Sequence, residues 1–223
     1  MGKIIGLFLL GCLALSSGAV AGEENPDIIV NKCRIVLEEM MLEEYKDVAE
    51  DLISKCAGVA IVPDMVKGGF IVGGSYGQGV VMAYRDNAWT GPAFIYTAAG
   101  SFGLQIGAQA VDLILVVIGQ RTMNSFLKSK FKLGADVAVA AGPVGAQASA
   151  ASEILLKGGI YSYSRAKGLF AGVSLEGAGI GTLSDLNKAY YGTTASTEEI
   201  LGGKVRPPAS AQQLIAVLKK FRK

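Results

Sequence analysis

The segment running from Lys67 to Gly79, KGGFIVGGSYGQG, constrains the fold more than any other part of the chain. Glycines flank its short apolar stretches, and glycine-punctuated, strand-like segments then continue as far as Gly192. Glycine inside a strand gives up packing area and costs backbone entropy, so a repeated pattern requires bulges, tight bends or close backbone approach. A phosphate cradle is the rival meaning, and the spacing argues against it. Gly74-Ser75-Tyr76-Gly77-Gln78-Gly79 reads G-x-x-G-x-G, lacks the Lys-Ser/Thr of a P-loop, and is followed by a strand-like run. The glycines are therefore architectural.

Ahead of this region, Asn25-Pro26-Asp27 supplies a capping side chain, a proline for the first helical position and an acid for the first turn. Ile29, Cys33, Leu37, Met41, Tyr45, Val48 and Leu52 then recur at spacings of three and four, with acidic residues between them. That periodicity predicts one long amphipathic helix ending near Gly58. Cys33 and Cys56 would lie on it roughly 35 Å apart. Unless the helix folds back midway, no disulfide closes that distance; two buried thiols are expected, with an intermolecular bridge as the other reading.

Strands are expected over 59–62 (stopped by Pro63-Asp64), 69–84, 89–99 and 101–119, with Arg85-Asp86-Asn87 as a hairpin turn. A short helix fits within 120–130, and strand character resumes over 131–141, 159–164 and 169–182. Residues 146–151 suit a helix by propensity and a strand or loop by context. A helix over 183–191 and a polar, turn-rich stretch over 193–208 precede a closing helix, with Ala211, Leu214, Val217, Leu218 and Phe221 on one face. The expected class is α+β: a twisted antiparallel sheet or partly closed barrel flanked by an N-terminal amphipathic helix and short C-terminal helices. Aromatic residues, at 8%, are too few for the girdles of an outer-membrane barrel.

Residues 1–21 read as an export signal: Lys3 at the start, an apolar core over 4–15, and Ala19-Val20-Ala21 as the cleavage site. Acylation at Cys12, after Leu9-Leu10-Gly11, is the rival reading. The divisions that follow are 22–58 for the amphipathic helix, 59–192 for the β-rich core and 193–223 for a C-terminal segment with a basic amphipathic helix. A periplasmic or secreted location follows from the signal.

The chemical inventory is thin. There is no histidine, which removes Ser-His-Asp and Cys-His pairs and the usual zinc sites. No cofactor or metal is expected, and a non-enzymatic role is. A net charge of +2 gives no argument for nucleic acid.

Several segments, in order, carry a family resemblance. They are Ala60-Ile61-Val62-Pro63, Lys67-Gly68-Gly69-Phe70, Gly73 through Gly79, Trp89-Thr90-Gly91-Pro92-Ala93 and Gly103 through Gln109. Gly134-Ala135-Asp136, Ala141-Gly142-Pro143-Val144-Gly145, Tyr161-Ser162-Tyr163-Ser164, Gly168 through Val173 and Asn187-Lys188-Ala189-Tyr190-Tyr191-Gly192 follow. The sequence resembles the SYLF domain, and the expected branch is the bacterial secreted one. The resemblance implies a non-enzymatic phospholipid-binding protein, here of the bacterial cell envelope, binding peripherally to anionic headgroups. On that reading basic side chains meet the lipid surface. The candidates are Lys67, Arg85, Lys128, Lys130 and Lys132 with Phe131 between them, and Lys219, Lys220 and Arg222 on the closing helix. The other reading is a protein-interaction or assembly module, whose partner is a polypeptide.

Overall fold

The computed structural model describes residues 24–42, 46–69, 72–102, 107–143, 159–166 and 168–222. Among these, helices α1 (Pro26–Met40) and α2 (Lys46–Lys55) precede four long strands, β1 (Gly58–Gly69), β2 (Val72–Arg85), β3 (Ala88–Phe102) and β4 (Gly107–Ile118). Helix α3 (Gln120–Met123) continues as a 3-10 turn over Asn124–Leu127. Shorter strands follow: β5 (Lys130–Lys132), β6 (Val139–Ala141), β7 (Gly159–Ala166), β8 (Leu169–Gly172) and β9 (Gly179–Thr182). Helices α4 (Ser184–Tyr191), α5 (Thr197–Leu201) and α6 (Ala209–Lys220) come last.

The strands form one sheet in the order β5-β9-β3-β2-β1-β4-β7-β6, with β8 also on β7. All pairs are antiparallel except β6 with β7. Its two edges, β5 and β6, are separated in sequence only by residues 133–138, within which Leu133 bridges Val137. A flat path of eight strands would hold those edges about 34 Å apart at the usual strand spacing. The connecting residues reach roughly 20 Å at most. The sheet therefore has to curl, and the result is an α+β fold built on a twisted antiparallel half-barrel.

Both faces of the curled sheet are buried, and side-chain alternation sorts them. Ala60, Val62, Val81, Ala83, Ile95, Leu113 and Leu115 point inward, where Phe131 and Ile180 join them. Val59, Ile61, Val80, Met82, Phe94, Ile114 and Val116 point outward into a second core with Cys33 and Leu37 of α1, Leu52 of α2 and Leu214 of α6. Period-2 alternation with both sides apolar explains the near-continuous hydrophobic runs of β1 and β4.

Pro63-Asp64 does not stop β1. The strand bulges there, its register slipping between Val62 and Met65 against β4, and Asp64 takes φ 49°. The bulge presses on β2, which accounts for part of the glycine pattern. A Cβ on Gly79 would collide with the Ile61 carbonyl oxygen, and one on Gly77 would stand 2.6 Å from Val62 Cγ1. Past the bulge, 66–69, 72–77, 99–102 and 107–111 continue as a four-stranded arm beyond the ends of the flanking strands β9 and β7.

Other expectations need correcting. The single N-terminal helix is two: α1 ends at Met40 in a turn through Met41 and Leu42, and α2 is a separate helix. The distance argument for the cysteines falls with it, but Cys33 and Cys56 are both free and buried. The expected strand over 131–141 is β5 and β6 around a turn, and that over 169–182 is β8 and β9 around Gly177 at φ 85°. The Arg85-Asp86-Asn87 turn forms as expected, with Asp86 at φ 48° and Asn87 at φ 60° as a two-residue hairpin turn requires. Residues 146–151 lie outside the described residues.

Candidate functional site

Strand β5 exposes Lys130 and Lys132 and turns Phe131 inward, as strand alternation dictates. Phe131 is therefore not an outward anchor. It packs edge-on against Phe126, ring centroids 4.9 Å apart, inside the half-barrel. Lys128, just before the strand, is also exposed, so the three lysines make a ridge along one edge of the sheet. The turn after it is fixed by reciprocal bonds: Lys132 N–H donates to Asp136 Oδ2 at 2.7 Å, and Asp136 N–H donates to the Lys132 carbonyl at 2.9 Å. Among the described residues no ion pair engages these lysines. Arg85 donates to Asn124 Oδ1 at 3.3 Å, tying the β2–β3 turn to the stretch that leads into the ridge.

The remaining basic positions do not join it. Lys67 is half-buried on the arm, and Lys219 and Lys220 are exposed on α6. Arg222 is folded inward: its Nη2 donates to the Cys56 carbonyl at 2.8 Å, and its guanidinium sits 3.4 Å from the Tyr84 ring centroid. Leu218 and Phe221, on the apolar face of the same segment, are buried in the outer core.

A second cluster escaped sequence reading because its members come from distant elements. Lys32 Nζ on α1 pairs with Glu24 Oε1 at 2.7 Å and Asp64 Oδ2 at 3.1 Å. Bonding to Glu24, and then to Asp64, holds the Lys32 pKa above its ordinary value. The Asp64 N–H donates to Asp112 Oδ1 at 3.0 Å, Arg165 Nε reaches Asp112 Oδ2 at 3.1 Å, and Arg165 also pairs with Glu39. This chain of charges crosses β1, β4 and β7 and fixes α1 over the foot of the arm. The exposed Lys32 pairs contribute about 0–1 kcal/mol each, while the Arg165 and Asp112 side chains are more enclosed, at 22% and 13% exposure.

Among the described residues no group of three or more His, Cys, Asp or Glu could hold a metal ion. A small apolar cleft of about 60 Å³, lined by Ile118, Val139, Ala140 and Ile160 among others, is far below the roughly 300 Å³ at which ligand pockets begin. No helix among the described residues is long and apolar enough to cross a membrane.

What this geometry offers is an exposed basic ridge and a charged helix–sheet junction. Comparison with known proteins places the scaffold. Residues 98–221, from the end of β3 through α6, match the family model Ysc84, described as Las17-binding protein actin regulator. The chain belongs to the Ysc84 family. LAS seventeen-binding protein 3 of Saccharomyces cerevisiae is 35% identical over 172 residues, 75% of this chain and 37% of that protein. Protein YSC84 of the same yeast is 33% identical over 75% of this chain and 36% of its own length. SH3 domain-containing YSC84-like protein 1 of Xenopus laevis is 32% identical over 79% of this chain and 53% of its own length. The chain thus spans about a third to a half of the curated relatives it matches.

These relatives correct the sequence reading. The SYLF resemblance holds for the domain, but its assignment to a bacterial secreted branch does not, because the relatives are yeast and vertebrate proteins. The secreted or periplasmic location, with cleavage at Ala21 or acylation at Cys12, falls with it, as does the bacterial envelope lipid-binding function. Residues 1–23, on which that location rested, lie outside the described residues. The matched family is described by binding and regulation, and LAS seventeen-binding protein 3 is named for binding rather than for a reaction.

Proposed function

We propose that this chain is a protein-binding module that acts on the actin cytoskeleton, engaging Las17 or actin itself. The observation that carries this reading is the family match over residues 98–221, which includes the whole lysine ridge. The ridge suits an acidic protein surface: Lys128, Lys130 and Lys132 are exposed, lack ion-pair partners among the described residues, and stand on a strand braced by the Lys132–Asp136 turn. Charges arranged in this way steer encounter and set salt dependence more than they add affinity.

The test is capture of purified Las17 by the full chain, alongside co-sedimentation with actin filaments. Binding to either is expected, with weakening at higher salt and on changing Lys128, Lys130 and Lys132 together to Glu. A chain that binds neither, under any salt condition, overturns the reading.

A further inference from the structure

The foot of the arm is a corner between a sheet and a helix. Val66 of β1 lies opposite both Tyr76 of β2 and Ala110 of β4, and Tyr76 lies opposite Ala98 of β3, so these four share one face of the arm. It is the outward face, since Tyr76 alternates with Val80 and Ala98 with Phe94, both of the outer core. Beyond the ends of β9 and β7, Val66 is 55% exposed and Tyr76 50%, with Tyr76 stacked on Tyr96 at 6.2 Å. One register step further out, Gly100, Gly74 and Gly68 lie opposite one another across β3, β2 and β1, and this row leaves a shallow trough.

Helix α1 forms the wall of the corner. Lys32 and Glu39 mark the side that meets the sheet, through Asp64 and Arg165 respectively. Ile28 and Ile35, one turn from Lys32 along the same flank, are exposed at 48% and 39% although both are large and apolar. Helix α1 therefore runs from β1 to β7 and carries these exposed apolar side chains on the flank that makes its charged contacts with the sheet.

We infer that this ledge, arm floor and α1 wall together, docks a short basic amphipathic helix from a protein partner. The inference rests on the protein-binding reading and names a surface for it separate from the lysine ridge. Two features select that occupant. The floor runs across four strands, from Ala98 of β3 to Ala110 of β4, about 14 Å between the outer two, which matches a helix of roughly ten residues lying alongside α1. The corner is acidic: among the described residues Glu24, Asp64, Asp112 and Glu39 form ion pairs with Lys32 and Arg165 alone, four carboxylates to two cations. An apolar stripe on the floor with lysines or arginines toward that corner satisfies both, the helix-in-groove mode of recognition.

The experiment measures fluorescence anisotropy of a labelled synthetic helix of leucine and lysine, and of its leucine–glutamate counterpart, against the full chain. The lysine peptide should bind and the glutamate peptide should not. Val66→Ser with Tyr76→Ser, and separately Ile28→Ser, should weaken the lysine peptide by about tenfold or more, the scale of losing buried apolar anchors. Asp64→Asn, which keeps a residue tolerant of the left-handed φ, should weaken it less and flatten its salt dependence. Near-ultraviolet circular dichroism identifies any variant that has lost its fold, and the other variants then decide. Equal binding of both peptides, insensitivity to all the substitutions, or absence of binding overturns the proposal. So does a dimer by light scattering that Val66→Ser with Tyr76→Ser turns monomeric, since a second copy would then own the ledge. Las17 and actin binding measured on the same samples separates the two readings. If it persists while the peptide fails, only the ledge is wrong. If it too is absent, the module reading has failed independently.

Discussion

Arg222 holds more of this fold than its place near the end of the chain suggests. It closes the carbonyls of Ile53 and Cys56 at the end of α2 and covers the Tyr84 ring, so one side chain joins the last helix, the second helix and the β2–β3 hairpin. Beside it, burial pushes the Cys56 thiol up to about 12, against a smaller lowering by the Arg222 charge. Burial raises the Cys33 thiol further still. Neither group is a thiolate near neutrality, and the thiolate is the reactive form. In a chain carrying Cys12→Ser, a thiol reagent at about pH 8 should therefore modify neither cysteine until denaturant is added. Prompt labelling of the native protein would show that one of these sites opens to solvent.

Helix α4 shows what an element does when it guards a sheet edge. Strand β3 pairs with β9 only from Ile95 outward, which leaves the 90–94 stretch without a strand on that side. Helix α4 and the residue before it fill the gap: the Phe94 N–H donates to Asn187 Oδ1 at 2.8 Å, the Tyr191 hydroxyl donates to the Pro92 carbonyl at 2.9 Å, and the Leu183 backbone N–H donates to the Phe94 carbonyl. Asn187 is 1% exposed, so its replacement leaves a buried donor unpaired. Asn187→Ala should destabilise by about 1–3 kcal/mol in denaturant titration, whereas Lys188→Ala on the exposed side should have little effect. The sequence showed α4 over 183–191 well, because helical signals are local. It concealed the role of Asn187, whose partner is remote in the chain. The same division runs through the fold. The Asp86-Asn87 turn and the apolar face of α6 were legible, as was the meaning of Gly77 and Gly79. The break between α1 and α2 was not, since the periodic pattern continues across it. Nor was α5, although Ser196 and Glu199 form a capping box whose S-x-x-E spacing was there to be read. For the site, the lysines of β5 were visible as charge, but the inward turn of Phe131 and the meeting of Lys32, Asp64 and Arg165 depend on the sheet being built.

The whole molecule is two cores sharing one curled sheet, and the outer core is closed by the first and last helices together. Helix α1 packs on β1 and β2, and α6 packs on α1, so residues at opposite ends of the sequence complete the same layer. Ala211, Leu214, Ile215, Val217, Leu218 and Phe221 are buried there. Fully burying a large apolar side chain stabilises by about 1.5–3 kcal/mol, and five of these six are large. The sum, roughly 8–15 kcal/mol as an upper estimate, equals the entire stability of a typical domain at about 5–15 kcal/mol. A basic amphipathic helix held only for surface contact would be dispensable to folding, and α6 is not. Ending the chain at Pro208 should therefore abolish cooperative unfolding and expose apolar surface, read by loss of near-ultraviolet circular dichroism with a gain in binding of a hydrophobic dye. Reversing Lys219 and Lys220 to Glu, on the exposed side of the same helix, should leave the melting transition almost unchanged. A truncated chain that still unfolds cooperatively would mean that the sheet and α1 carry the outer core alone.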